Sequence, residues 1–532
     1  MDGLQNPASD DTLIASLRQV LGADGVVVDM AERQLYSADF FLNGPTCRAV
    51  IRPSDAGSLS RAMEILNAAG IAVAPRGGGY SYTGGYIPGQ ENMVVADMAG
   101  MNRIIEISEE DMFVTTEAGV TWKQLYDALL PKGLRLPFFG TYSGAGATVG
   151  GGISNGALFL GTARYGTVSE IVLGVEVVLA DGTTLTTGQG GVTASPKPFF
   201  RTFGPDLTGL FVHDAGALGI KTRATLRLIR APAETDYLSF AFPKLSDAIA
   251  AISEVGRAEA AEDSFVIDPA SAARNLTAQG LGADIGALAR VVAQERGFIK
   301  GLKAGLDLVR HGRDFAPDGA YLLNLVLAGK SRAAVEHDIE TCRHIAAENN
   351  GAEIPNSLPK AARANLFPPL DSVVGPDGRR WAALNAKVAH SQARAIVEGA
   401  EAIFDRYRSE MEEHTIQIAL LFTVITNNAF SYECVFRWKD DWTALHRRTM
   451  SPDYAKSLGE PAVTPGAWAL VDKIRAEITA FFKAQGAASS QIGKTYHYLD
   501  ALKPETQQTI QAIKSLFDPK GLMNPGALGL NN

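Results

Sequence analysis

The stretch from residue 140 to residue 166, GTYSGAGATVGGGISNGALFLGTARYG, packs in nine of the 54 glycines that the whole chain of 532 residues contains. Glycine costs backbone entropy in any regular element, so a run this dense points to main chain that must approach something closely. A second run, Pro75-Arg76-Gly77-Gly78-Gly79-Tyr80-Ser81-Tyr82-Thr83-Gly84-Gly85, follows directly on the apolar stretch IAVAP. Successive residues without Cβ atoms let backbone N–H groups converge into a nest that can hold a pyrophosphate, and Ser81 and Thr83 can add hydroxyl donors. A flexible surface loop is the competing reading of a triple glycine taken alone. Gly144, Gly146 and Gly150 also resemble GxGxxxG, but PFFGTYS ahead of them is not a clean buried strand. No acidic residue ends a second strand ~20 residues on, so a Rossmann NAD site is the weaker reading.

The rest of the chain reads as alternating short strands and helices. A lead-in over residues 1–40 carries a helix at 12–21 and a strand at 26–28. AVI, an amphipathic stretch through Leu59, Met63 and Leu66, and IAVAP give strand, helix, strand. MVVADM, FVTTEAGV and IVLGVEVVLADGTTLTT read as strands, the last folded at the Asp181-Gly182 turn. The composition shifts near Ala231-Pro232 to an Ala-rich unit with helical periodicity at 245–256, 286–310, 331–348 and 391–411. Between these lie the strand candidates YLLNLVLAG, IQIALLFTVIT and YECVFRW, and a last helix is expected at 504–517. The fold class is α+β, with units at 41–231 and 232–470 and a closing segment at 471–532.

A formal net charge of −9 and the absence of a sustained Lys/Arg run argue against a nucleic-acid partner. Cys47, Cys342 and Cys434 are too few and too scattered for a disulfide framework or a CxxC clip. No apolar run approaches the ~20 residues of a membrane span. These features lead to the expectation of a cytoplasmic protein with a small-molecule substrate, and leave both a monomer and a homo-oligomer open.

In order along the chain, RGGGYSYTGGYIP, ATVGGGISNGALFLGTARYGTVSEIVLGVEVVLADGTTL, DLTGLFVHDAGALGIKTRATLRL and FDPKGLMNPG resemble the FAD-binding domain of the vanillyl-alcohol oxidase and p-cresol methylhydroxylase superfamily. The flavour is similar to its glycolate oxidase and D-lactate dehydrogenase branch. The resemblance implies an FAD domain of two α+β subdomains, completed by the C-terminal segment, and a cap domain that carries the substrate pocket. It implies that Arg76, Gly77, Gly78, Gly79, Tyr80 and Ser81, with Gly84 and Gly85, cradle the pyrophosphate. Thr148, Gly150, Gly151, Ser154, Asn155 and Gly156 would line the ribityl chain and ring, with Arg164, Tyr165 and Gly166 just behind. Ile220 would sit near the adenine and Asn524 near the ring.

Members with a histidyl flavin linkage carry His where this chain has Tyr80, and those with a second linkage carry Cys where it has Gly146, so non-covalent FAD is expected. Where the glycolate oxidase branch often has GEHGIG with a metal-binding histidine, this chain reads Ser489-Ser490-Gln491-Ile492-Gly493. No metal is expected. Phenol oxidases place a Tyr-Arg pair where this chain has Thr495-Tyr496.

Flavin oxidation removes a hydride from carbon while a base takes a proton from oxygen. His497 and Tyr496, in GKTYHY, and His390, in RWAALNAKVAHS, are the candidates for that base, and Arg437, in YECVFRW, is a candidate anion clamp. An FAD-dependent dehydrogenase or oxidase of a small alcohol or 2-hydroxy acid is the leading expectation, with the electron acceptor left open. A phenolic, lignin-type alcohol is the alternative substrate. Readings of another class are an FAD-dependent non-redox synthase and a flavin-holding partner within a larger complex.

Overall fold

A computed structural model describes residues 7–272 and 317–530. Three larger sheets organise the described residues, beside a two-stranded pairing of Leu134–Arg135 with Ile229–Arg230. The first has four strands in the order Val26–Val27, Ala49–Ile51, Val94–Asp97, Val73–Arg76, the last three mutually parallel. Helix Ala56–Ala68 connects two of these parallel strands and buries Leu59, Met63 and Leu66 against them, the face that its periodicity foretells. Asp55 caps it by accepting from the Ser58 N–H. The second sheet has five antiparallel strands, ordered Ile104–Ser108, Phe113–Glu117, Ile220–Arg227, Val172–Val178, Thr184–Thr186.

The third sheet has seven antiparallel strands, ordered Ala352–Ile354, Glu234–Phe242, Tyr321–Gly329, Asp263–Ile267, Gln417–Ile425, Ala429–Trp438, Arg380–Val388. Helices Leu245–Arg257, Arg332–Glu348, Ala393–Arg406 and Ala467–Ala484 share its hydrophobic core. Alternation decides what the other face does. Along Ala429–Trp438 the even-numbered Tyr432, Cys434, Phe436 and Trp438 are fully buried in that core, and each large aromatic contributes roughly 1.5–3 kcal/mol by leaving water. Glu433, Val435 and Arg437 therefore point to the opposite face, where they remain partly accessible.

The expected helices at 245–256, 331–348, 391–411 and 504–517 form, the third as two helices that meet at Tyr407. The expected helix at 286–310 lies outside the described residues. Helix Ala467–Ala484 crosses the expected boundary at 470 and packs with the seven-stranded sheet, and Arg475 on it donates to the Ala383 and Tyr82 carbonyls, tying that sheet to the first glycine loop. The chain returns to the four-stranded sheet further on: the Val73 N–H donates to Leu522 O and the Asn524 N–H to Val73 O, each at 2.8 Å. Buried Lys514 fastens this return by donating to Ala217 O, Met523 O and Asp518. No described helix is long and apolar enough to cross a membrane.

Candidate active site

A cavity of about 1250 Å³ is lined by residues of, or next to, all three larger sheets. It is lined by Pro75, Gly216, Gly219 and Ile220, by residues of both glycine runs, and by the free face of the seven-stranded sheet. A pocket for one small ligand commonly measures ~300–1,000 Å³, so this volume has room for a large cofactor and a substrate together.

The glycine runs meet each other as well as the cavity. Part of the second run is the short helix Val149–Asn155, capped by Thr148, whose hydroxyl accepts from the Gly151 N–H. A Cβ on Gly78 would lie 2.0 Å from Gly146 O, so glycine is required at Gly78 by the backbone of the partner loop. A Cβ on Gly146 would lie 2.3 Å from the Tyr80 ring. Tyr80 and Gly146 thus pack directly on one another, tyrosine ring against bare main chain.

Arg76 is 7% exposed, lines the cavity, and sits with its guanidinium 4.4 Å from the centroid of the Tyr36 ring. Its Nε has no hydrogen-bond partner among the described residues. A buried guanidinium with an unmet donor beside a glycine nest suits an anionic cofactor group. Ser81 lines the cavity, whereas Thr83 does not; its hydroxyl lies 3.3 Å from that of Ser81.

Of the residues expected at the cofactor, Arg76, Gly77, Gly78, Gly79, Tyr80, Ser81, Gly85, Thr148, Gly150, Gly151, Ser154, Asn155 and Ile220 line the cavity. The others do not. Gly84 turns away with φ +70°, its N–H donating to the buried Asp39 carboxylate. Gly156 ends the short helix in the left-handed region at φ +71°. Arg164 reaches across to the seven-stranded sheet, where it donates to Ala328 O and pairs with Asp338 at 3.3 Å; Tyr165 lies under Arg135, and Gly166 closes the turn of helix Thr162–Tyr165. Asn524 acts one layer back, its amide donating to Gly85 O and Ala215 O at 2.7 and 2.6 Å, which ties the first glycine loop to the turn at Ala215.

The catalytic expectations fare differently. Residues 491–498 form a turn, not an extended strand, and neither Tyr496 nor His497 lines the cavity. Tyr496 is buried in the core of the seven-stranded sheet, its hydroxyl accepting from the Asn385 N–H at 2.7 Å. His497 is 42% exposed at its side chain and stands 3.5 Å from Asp500. His390 begins a short 3-10 turn beyond strand Arg380–Val388 and does not line the cavity. Arg437 does line it, from an inner strand of the sheet. Among the cavity residues that escape the sequence reading are Asn385 and Glu433, the latter four positions before Arg437 on the same strand face. Strict alternation within YECVFRW could have found Glu433, because a carboxylate and a guanidinium repeat at even spacing between core aromatics.

The chain matches the FAD binding domain over residues 47–188 and the C-terminal domain of FAD linked oxidases over residues 464–528. It thus carries an FAD-binding domain and the C-terminal domain of FAD linked oxidases. The flavoprotein is 26% identical to the D-lactate dehydrogenase of Archaeoglobus fulgidus over 90% of either chain. It is 34% identical to the probable mitochondrial D-lactate dehydrogenase of Danio rerio over 46% of this chain and 47% of that one, so it spans about half the length of that curated relative. Its fold is that of p-cresol methylhydroxylase, solved with substrate bound, with a TM-score of 0.72, 19% identity, and 99% and 98% of the two chains covered.

Proposed function

We propose that the flavoprotein oxidises the CH–OH group of a small alcohol or 2-hydroxy acid, with FAD held non-covalently along the cavity. The observation that carries this reading is the continuity of the cavity. It joins the glycine loops, with the buried Arg76, to a sheet face that presents Glu433 and Arg437. The relatives' names, D-lactate dehydrogenases, supply the substrate class.

Bound FAD supplies an acceptor for two electrons and a hydrogen from carbon. The chain's own residues do the rest. Arg76 and the N–H groups of Gly77, Gly78 and Gly79 hold the pyrophosphate, with Ser81 beside them, while Gly150, Gly151, Ser154 and Asn155 line the ribityl chain and ring. Arg437 receives the carboxylate of a hydroxy acid and so orients its carbon. Trp381, Leu421 and Val435 form an apolar wall that keeps water from the reacting centre. That same wall favours, as a second reading, an aromatic alcohol.

The purified protein is expected to be yellow and to release its FAD on denaturation, since Tyr80 and Gly146 occupy the two attachment positions. Anaerobic addition of D-lactate, glycolate and 4-hydroxybenzyl alcohol tests the reaction. Bleaching by one of the acids supports the first reading, bleaching by the aromatic alcohol alone supports the second, and an unchanged spectrum with all three counts against oxidation of this substrate class.

A further inference from the structure

Oxidation of an alcohol needs a base for the hydroxyl proton, and none of the described histidines lines the cavity. Four carboxylates do: Asp263, Asp371, Asp377 and Glu433. Asp263 is held by Arg363 at 2.9 Å and by the Gly161 N–H. Asp371 accepts from the Ser451 N–H and hydroxyl, and Asp377 pairs with Arg379. Glu433 makes no hydrogen bond and no ion pair within 4 Å among the described residues, although it stands in the middle of the sheet face, opposite Asn385 on one side and Leu421 on the other. Next to Asn385 on that face is Lys387, whose ammonium donates to Asn385 Oδ1 at 2.5 Å. Asn385 cannot swing. Its Oδ1 also accepts from the Ser490 N–H at 2.9 Å, its carbonyl accepts from the Ser489 hydroxyl at 3.0 Å, and its N–H donates to Tyr496.

We propose that Glu433 is the base that takes the substrate's hydroxyl proton, and that Lys387, held by Asn385, is a positioning residue that keeps Glu433 ionised. The inference rests on the oxidation reading above. In the step, the O–H bond breaks and its proton passes to a Glu433 carboxylate oxygen. The C–H bond breaks with both electrons passing to FAD as hydride, and the carbon–oxygen bond becomes a carbonyl. Burial pushes Glu433 up from the usual carboxylate range while Lys387 draws it back, and burial pulls Lys387 down to about 7 against the pull of Glu433. A carboxylate raised from its ordinary range is better matched to taking a proton near pH 7. Two other titratable groups face the pair. Tyr82, from the first glycine loop, is raised by burial and by Glu433, and His213, on the side of Lys387, is lowered to about 4 by burial and by Lys387.

The test uses the holoprotein and the same three alcohols, with infrared spectra as a function of pH as a second readout. Glu433→Gln is expected to keep its FAD and to slow anaerobic flavin reduction by at least ~100-fold, the effect typical of a lost base. Glu433→Asp, which keeps the charge, is expected to be slowed less. A carboxylate band that disappears in Glu433→Gln is expected to shift its titration to higher pH in Lys387→Met. Wild-type reduction matched by Glu433→Gln overturns the base assignment while leaving the oxidation reading intact. If none of the alcohols reduces the wild type, the oxidation reading falls, and the infrared arm still decides the pair: a Glu433 band whose titration Lys387→Met does not move overturns it.

Discussion

The glycine loops and the face of the seven-stranded sheet border the same cavity but solve opposite problems. The loops bring main chain to within contact distance of main chain, so identity matters at almost every position, and a side chain is an intruder. The sheet face offers side chains on a rigid, fully paired frame, so chemistry depends on which residues alternate outward. The first arrangement suits a ligand common to many proteins. The second can change its substrate by exchanging a few residues without disturbing the backbone.

Substitution at Gly78 is the hardest way to break that contrast. Valine there meets Gly146 O within 2.0 Å before it meets any ligand, and overpacking of this kind costs ~1–3 kcal/mol or more. Gly78→Val is expected to lower the melting temperature of the apoprotein itself as well as abolish FAD binding. An apoprotein of wild-type stability would show that the two loops do not pin each other.

Gly151 should behave differently. A Cβ there meets the Thr148 hydroxyl at 3.1 Å and comes no nearer than 3.8 Å to the Gly77 Cα, on a residue that lines the cavity. Gly151→Ala is expected to weaken FAD at least ~10-fold, about 1.4 kcal/mol, with little change in apoprotein melting. A fluorescence titration with FAD checks it, and unchanged affinity would remove Gly151 from the cofactor wall.

On the sheet side, Arg437→Ala is expected to raise the half-saturating concentration of an anionic substrate ~30-fold, about 2 kcal/mol, the loss typical of a charged hydrogen-bonded contact. FAD affinity and the response to a neutral alcohol should stay near wild type. An equal loss for both kinds of substrate would make Arg437 a structural residue. The smallest effect belongs to His497→Ala. An exposed pair such as His497–Asp500 contributes ~0–1 kcal/mol, and the rate of flavin reduction should change less than ~2-fold. A large loss would return the base to the C-terminal segment.

The difference between the two regions also explains what could be read in advance. Close approach of backbone leaves a direct trace, because only glycine permits it, and so Gly78 and Gly151 were legible as cavity wall, whereas Arg76 and Ile220 were placed there by the resemblance alone. Strand alternation placed YECVFRW and IQIALLFTVIT. The histidine expected in GKTYHY did not reach the cavity, because the local turn at 491–498 leaves His497 exposed. Glu433 and Lys387 lie 46 residues apart in sequence and meet only through the register that pairs Asn385 with Glu433. Arg164 escapes for a related reason: its partners Ala328 and Asp338 come from a distant part of the chain.

A crystal structure of the protein with FAD tests the division of the cavity most directly. Electron density is expected for the pyrophosphate against Arg76, Gly77 and Gly78, for the adenine toward Ile220, and for the flavin ring beside Asn155 with its open side toward Glu433 and Arg437. A flavin ring at the Ile220 end, or FAD bound outside this cavity, would contradict that division.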